Sequence, residues 1–134
     1  MNKGDILHSS NHDFDSDSKP SDKFLILLNN PHENNTYVLV FVNSNDVWRN
    51  RTSGCHNQIR DAHFVIDKGQ DWFDQDKTFI IFRYVRVLTQ REFQDQQGRG
   101  NLKKVASLRA PMLRAIINCY KGTMDISGFV RELI

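Results

Sequence analysis

The sequence predicts an α+β fold that is mainly β: a small antiparallel barrel or strongly bent sheet, followed by C-terminal helices. Short apolar runs separated by polar turns fill residues 1–88, and apolar residues at helical spacing follow in residues 89–134. Closing many short strands into a barrel would remove exposed sheet edges. The chain has 134 residues, which suits one domain with its own hydrophobic core.

Five runs have the length and composition of strands, and a polar loop, 9–22, separates the first from the second. The third is the best defined because it is rich in β-branched and aromatic residues. Short polar turns after the second and fourth runs predict two pairs of neighbouring strands. The predicted strands are Gly4–His8, Lys23–Leu28, Thr36–Asn43, Ala62–Ile66 and Lys77–Leu88.

Helix signals begin at Thr89, which forms a capping-box pattern with Glu92, and Gly98 is placed to end that helix. A second helix ends at Gly122, and a last short helix is predicted to be capped near Asp125. The apolar stripe of the second helix consists of Met112, Leu113, Ile116, Ile117 and Tyr120. The predicted core contains Leu25, Leu27, Val38, Val40, Val42, Phe64, Ile66, Ile80, Phe82 and Ile116.

Composition sets limits on function. With 18 basic and 16 acidic residues the net charge is +2, which permits contact with nucleic acid without requiring it. Cys55 and Cys119 form no CxxC pair, so we predict no zinc site and reduced thiols. Since no leader sequence and no membrane-length apolar run occur, we expect a soluble cytoplasmic protein without metal or cofactor.

Histidines are the candidate acids and bases. His63 lies where a loop enters a strand, beside Asp61, which could orient its ring. His12 lies in the long polar loop. The alternative for both is a surface or capping histidine without a chemical role.

Aromatic and basic residues lie together in two loops. Trp48, Arg49 and Arg51 occupy one, and Trp72 and Phe73 the other. Aromatic rings can stack on bases and arginines can bind phosphates, so these loops are candidate RNA contacts. Alternatively, the two tryptophans close the ends of the barrel.

Four stretches resemble the MazF/PemK toxin family, whose members are SH3-like barrels that cut single-stranded RNA. The resemblance implies an SH3-like barrel and a metal-independent endoribonuclease of a toxin–antitoxin or defence system. It also implies three partners: single-stranded RNA, an antitoxin protein and a second copy of the chain in a homodimer. The stretches are "GDI" (Gly4–Ile6), "DKFLILLNN" (Asp22–Asn30), "VLVFVNSN" (Val38–Asn45) and "DKTFIIFRYVRVL" (Asp76–Leu88).

The resemblance places Lys23 at the family's basic position, as the cation, and Asn43 and Ser44 at its Thr/Ser position, as orienting groups. The predicted catalytic residues are Lys23, Ser44, His63 and His12, and the predicted RNA contacts are Asn43, Trp48, Arg49 and Arg51. The family has arginine where this chain has Lys23, and lysine lacks arginine's two-pronged grip on phosphate. The alternatives are therefore a non-catalytic SH3-like module that binds nucleic acid or a protein, and a structural domain without chemistry.

Overall fold

Seven strands form a single antiparallel sheet in the computed structural model, which describes residues 1–10, 23–31, 35–43, 50–124 and 126–134. The described residues also form three helices, one between the sixth and seventh strands and two after the seventh strand. The strands are β1 (Asp5–Ser9), β2 (Lys23–Leu27), β3 (Thr36–Asn43), β4 (Gly54–His56), β5 (His63–Asp67), β6 (Lys77–Thr89) and β7 (Leu102–Ser107). The helices are α1 (Gln90–Gly98), α2 (Ala110–Lys121) and α3 (Gly128–Leu133).

The strand order is β4-β5-β6-β3-β2-β1-β7, and every neighbouring pair is antiparallel. This confirms the mainly-β α+β class and the two predicted strand pairs, β2–β3 and β5–β6. The predicted barrel is wrong, because the sheet formed by the described residues is open, with β4 and β7 at its edges. Helices cover its faces, so the core is buried without closure.

The core lies on both faces of the sheet. On one face, residues such as Ile26 and Val40 pack with Ile116 of α2. On the other, Leu25 and Leu27 pack with Phe93 of α1. This alternation follows the two-residue period of a strand. Every residue of the predicted core is buried except Val42, which is partly buried against it.

Helix ends follow the predicted signals closely. The Thr89 hydroxyl accepts a hydrogen bond from the Glu92 amide at 3.2 Å, and the Glu92 carboxylate accepts one from the Thr89 amide at 3.0 Å. Gly122 ends α2 as predicted. The last helix begins two residues later than predicted, after Ser127, whose hydroxyl accepts from the Val130 amide.

Two strands were not predicted. β4 has only three residues, and β7 lies in a segment expected to be helical. β7 carries Lys103 and Lys104 on an edge of the sheet. Lysines on an edge strand oppose pairing with other chains, and they also remove the apolar alternation by which a strand is predicted.

A disulfide joins Cys55 of β4 to Cys119 of α2, with Cα atoms 5.6 Å apart. The prediction of reduced thiols is therefore wrong, and Cys119 is buried. The two cysteines are distant in sequence and come together only because α2 packs over the β4–β5 end of the sheet. In the part of the chain that is described, no helix has the length and apolar character needed to span a membrane.

Candidate functional site

A cleft of about 480 Å³ opens at the end of the sheet where β2 begins and β3 ends. The antiparallel register pairs Phe24 with Val42, which brings the flanking residues Lys23, the first of β2, and Asn43, the last of β3, next to each other. The turn between β5 and β6 forms the opposite wall. Residues that give the cleft its chemical character are Lys23, Phe24, Asn43, Trp72, Asp74 and Gln75.

The aromatic wall is built around Trp72, which is 44% exposed. Its ring lies edge-on to Phe24 at 5.4 Å and to Phe73 at 5.3 Å between centroids. Phe73 is buried in the core, and Phe24 contacts the ring of His8 on β1. Trp72 is therefore anchored by neighbouring rings while much of its surface faces solvent, and it does not close an end of the core.

Polar groups in the cleft are available to a ligand. Within the described ranges, the side chains of Lys23, Asn43 and Asp74 engage in no hydrogen bond or ion pair, and the same holds for Gln75. Lys23 and Asp74 carry opposite charges in one cleft without pairing. The cleft thus offers a cation, an anion and two amides next to an exposed aromatic ring.

His63 lies elsewhere and is fully buried, with 0% exposure. Its Nδ1 donates a hydrogen bond to the backbone carbonyl of Asp61 at 2.7 Å, and its ring stacks on that of His56 at 4.9 Å. Asp61 therefore orients the ring, through its carbonyl, while its carboxylate pairs with Arg83 at 2.9 Å. Burial lowers the pKa of His63, which keeps the imidazole neutral.

The structure does not bring His63 to Lys23. β3 and β6 lie between their strands, which separates them by about three strand spacings, ~14 Å. The hypothesis that both converge on one phosphate is wrong, for a topological reason. β2 and β5 are three strands apart and run in opposite directions, so their first residues, Lys23 and His63, are not neighbours in the sheet.

The remaining predicted residues divide into two groups. His12, Ser44, Trp48 and Arg49 lie outside the described residues. Arg51 is exposed, and its carbonyl accepts a hydrogen bond from Lys77 Nζ at 3.0 Å. Since Lys77 begins β6, this contact places Arg51 at the same end of the sheet as the cleft.

Sequence reasoning missed Asp74 and Gln75, and for Trp72 it left open an RNA contact or a ring that closes an end of the barrel. The available signal was the acidic, aromatic composition of the turn between β5 and β6. That composition does not indicate which of the two rings, Trp72 or Phe73, enters the core. Among the described residues, no group of three or more histidine, cysteine, aspartate or glutamate side chains is arranged to hold a metal ion.

No family model matches the chain, and no curated protein matches its sequence. The resemblance to the MazF/PemK toxins therefore remains a prediction that rests on the four short stretches, and the function must be argued from the cleft.

Proposed function

We propose that this protein is a binding module for single-stranded RNA and that the cleft between Lys23 and Trp72 holds a nucleotide. The observation that supports this most strongly is the half-exposed Trp72 ring in the same cleft as Lys23, which forms no ion pair with any described residue. The volume, about 480 Å³, is in the range of small-molecule sites, roughly 300–1,000 Å³.

The cleft offers a complementary group to the base and another to the phosphate of a nucleotide. Stacking of a base on an aromatic side chain contributes about 1–3 kcal/mol in single-strand binding proteins. The ammonium of Lys23 can contact a neighbouring phosphate, because it is not engaged by any described carboxylate. Stacking requires an exposed base face, which a duplex does not offer, so the ligand is single-stranded. The choice of RNA over DNA is supported only by the resemblance to the toxins.

Cleavage of RNA is the second candidate. It is supported by the adjacency of Lys23 and Asn43, the residues that the resemblance places at the reacting phosphate. Cleavage through the ribose 2′-OH also needs a base, and His63 is buried and remote from Lys23. Binding is therefore the better-supported activity, and an antitoxin partner and a homodimer belong to the nuclease proposal.

We also propose a cytoplasmic location, where the protein would meet RNA. The disulfide between Cys55 and Cys119 counts against it, because disulfides are rare and mostly transient in the reducing cytosol.

The binding proposal is tested by fluorescence anisotropy with a labelled single-stranded RNA of mixed sequence. Trp72→Ala should weaken binding by about fivefold or more through lost stacking, whereas Trp72→Phe, which keeps an aromatic face, should retain most of it. In Lys23→Ala the slope of log K against log[salt] should be smaller by about one, because one phosphate contact is lost. Lys23→Arg should restore the slope.

Equal binding by wild type and Trp72→Ala would contradict the proposed site. The same samples, run on a denaturing gel with EDTA, distinguish binding from cleavage. Intact RNA is the expected result, and cleavage that persists in EDTA but is lost in Lys23→Ala would favour the nuclease.

A further inference from the structure

Asp74 is the unusual group in a cleft that binds nucleic acid. A carboxylate repels phosphate, and when ionised it only accepts hydrogen bonds. Its neighbour Lys23 does not neutralise it, since the two make no ion pair. A ligand that satisfies both groups must present a phosphate to Lys23 and hydrogen-bond donors to Asp74. A nucleotide does so when its base edge faces the carboxylate.

The four bases differ in the donors that they present on the Watson–Crick edge. Guanine has two adjacent donors, N1–H and the N2 amino group, which match the two oxygens of a carboxylate. Adenine and cytosine each place a ring-nitrogen acceptor beside their amino group, and uracil places N3–H between two carbonyls. A carboxylate that meets these three bases therefore faces an acceptor lone pair as well as a donor, which is unfavourable.

We infer that Asp74 makes the cleft selective for guanine, with both carboxylate oxygens accepting from N1–H and the N2 amino group while Trp72 stacks on the base. This deepens the proposed function and rests on it. The amides of Asn43 and Gln75 also line the cleft, and an amide NH₂ can donate to guanine O6. Lys23 contacts a phosphate and therefore does not discriminate between the bases.

The selectivity is measured with five short RNAs of the form UUXUU, in which X is G, A, C, U or inosine. Wild-type protein should bind the G oligomer at least about fivefold more tightly than the A oligomer, since a bidentate contact to a base discriminates by roughly 1–3 kcal/mol. Inosine keeps O6 and N1–H but lacks the N2 amino group, so its affinity should lie between those of G and A. This comparison uses the unmodified protein.

Asp74→Asn supplies the matched variant, because it keeps the size of the side chain and removes the charge. The ratio of A to G dissociation constants should fall to within about threefold, and binding of the A oligomer should not weaken, since a repulsive charge has been removed. Asp76→Asn is the control, because it removes a charge from the same turn at an exposed residue that does not line the cleft, and it should leave G as the preferred base.

Three results would overturn the inference: equal affinity of wild type for G and A, equal affinity for G and inosine, or a G preference that persists in Asp74→Asn. Failure of the proposed function looks different, because then no oligomer binds, or all bind unchanged to Trp72→Ala. A uniform loss in Trp72→Ala together with equal affinities for the five oligomers leaves the binding function standing and removes only the guanine selectivity.

Discussion

At the scale of single residues, His63 has the environment of a buried neutral imidazole. The groups around it are His56, Arg51 and Asp61, and burial is the largest influence on its pKa, which it lowers. Electrostatic interactions with His56 and Arg51 lower it further, while the hydrogen bond to Asp61 and the charge of that residue oppose the shift. His63 is thus packed inside the protein, and its lowered pKa favours the neutral ring there.

Stability should therefore fall as the pH is lowered through the ordinary histidine value of 6.5. Below that value the unfolded chain takes up a proton that the folded chain does not, until the pH reaches the lower pKa of the folded state. The free energy of unfolding, measured by urea titration between pH 8 and pH 5, should decrease less for His63→Phe than for wild type. Identical pH profiles for the two proteins would contradict the buried neutral assignment.

Val40 tests the assignment of the core. It is fully buried on β3, and truncation to alanine should lower the free energy of unfolding by about 1–3 kcal/mol, because apolar area is lost and a cavity forms. Val87 is a matched control on the adjoining strand β6, where its side chain is 41% exposed. Val87→Ala should change stability by no more than about 0.5 kcal/mol. Similar losses in the two variants would mean that the strand faces are misassigned.

At the scale of elements, predictability followed the strength of the local pattern. β3 was predicted to the residue because its β-branched and aromatic composition is sustained over Thr36–Asn43. α1 was predicted by the capping pair of Thr89 and Glu92, a signal local to one turn of chain. β4 and β7 were not predicted, because β4 has only three residues and β7 is defined by its pairing with β1, which is distant in sequence.

The disulfide is the strongest connection between β4 and α2, and it spans 64 residues of chain. In the chain-entropy description, a cross-link of this length stabilises the fold by about 4 kcal/mol. Adding a reductant should therefore move the urea midpoint of wild type to a lower concentration. Cys55→Ser, which cannot form the bond, should show the lower midpoint with and without reductant. A wild-type midpoint that does not respond to reductant would show that the bond is not present in solution.

At the scale of the whole molecule, the open sheet and the cleft both result from contacts between distant segments. Closure into a barrel was a reasonable expectation from the number of strands, but β7 instead pairs with β1 through an irregular register between Ile6 and Leu7. Such a pairing joins two distant parts of the chain and has no local sequence signal. The sequence therefore predicted the class, the central strands and the core, and it did not predict the edges.

The same reasoning applies to the site. Lys23 and Asn43 could be placed together from the sequence, because a predicted hairpin joins the start of one strand to the end of the next. Trp72 could not be added to them, since its position depends on how the turn after β5 folds back against Phe24. His63 was grouped with Lys23 on the assumption of one shared rim, which the strand order excludes.

The central claim is that single-stranded RNA binds at the Lys23–Trp72 cleft, and NMR titration tests it most directly. Spectra of ¹⁵N-labelled protein would be recorded while UUGUU RNA is added. The largest shifts should be those of the Trp72 indole N–H and of the Asn43 and Gln75 side-chain amides, all of which belong to the cleft. The signals of His63, about three strands away, should move little. Shifts centred on another surface, or none at RNA concentrations up to the millimolar range, would contradict the account.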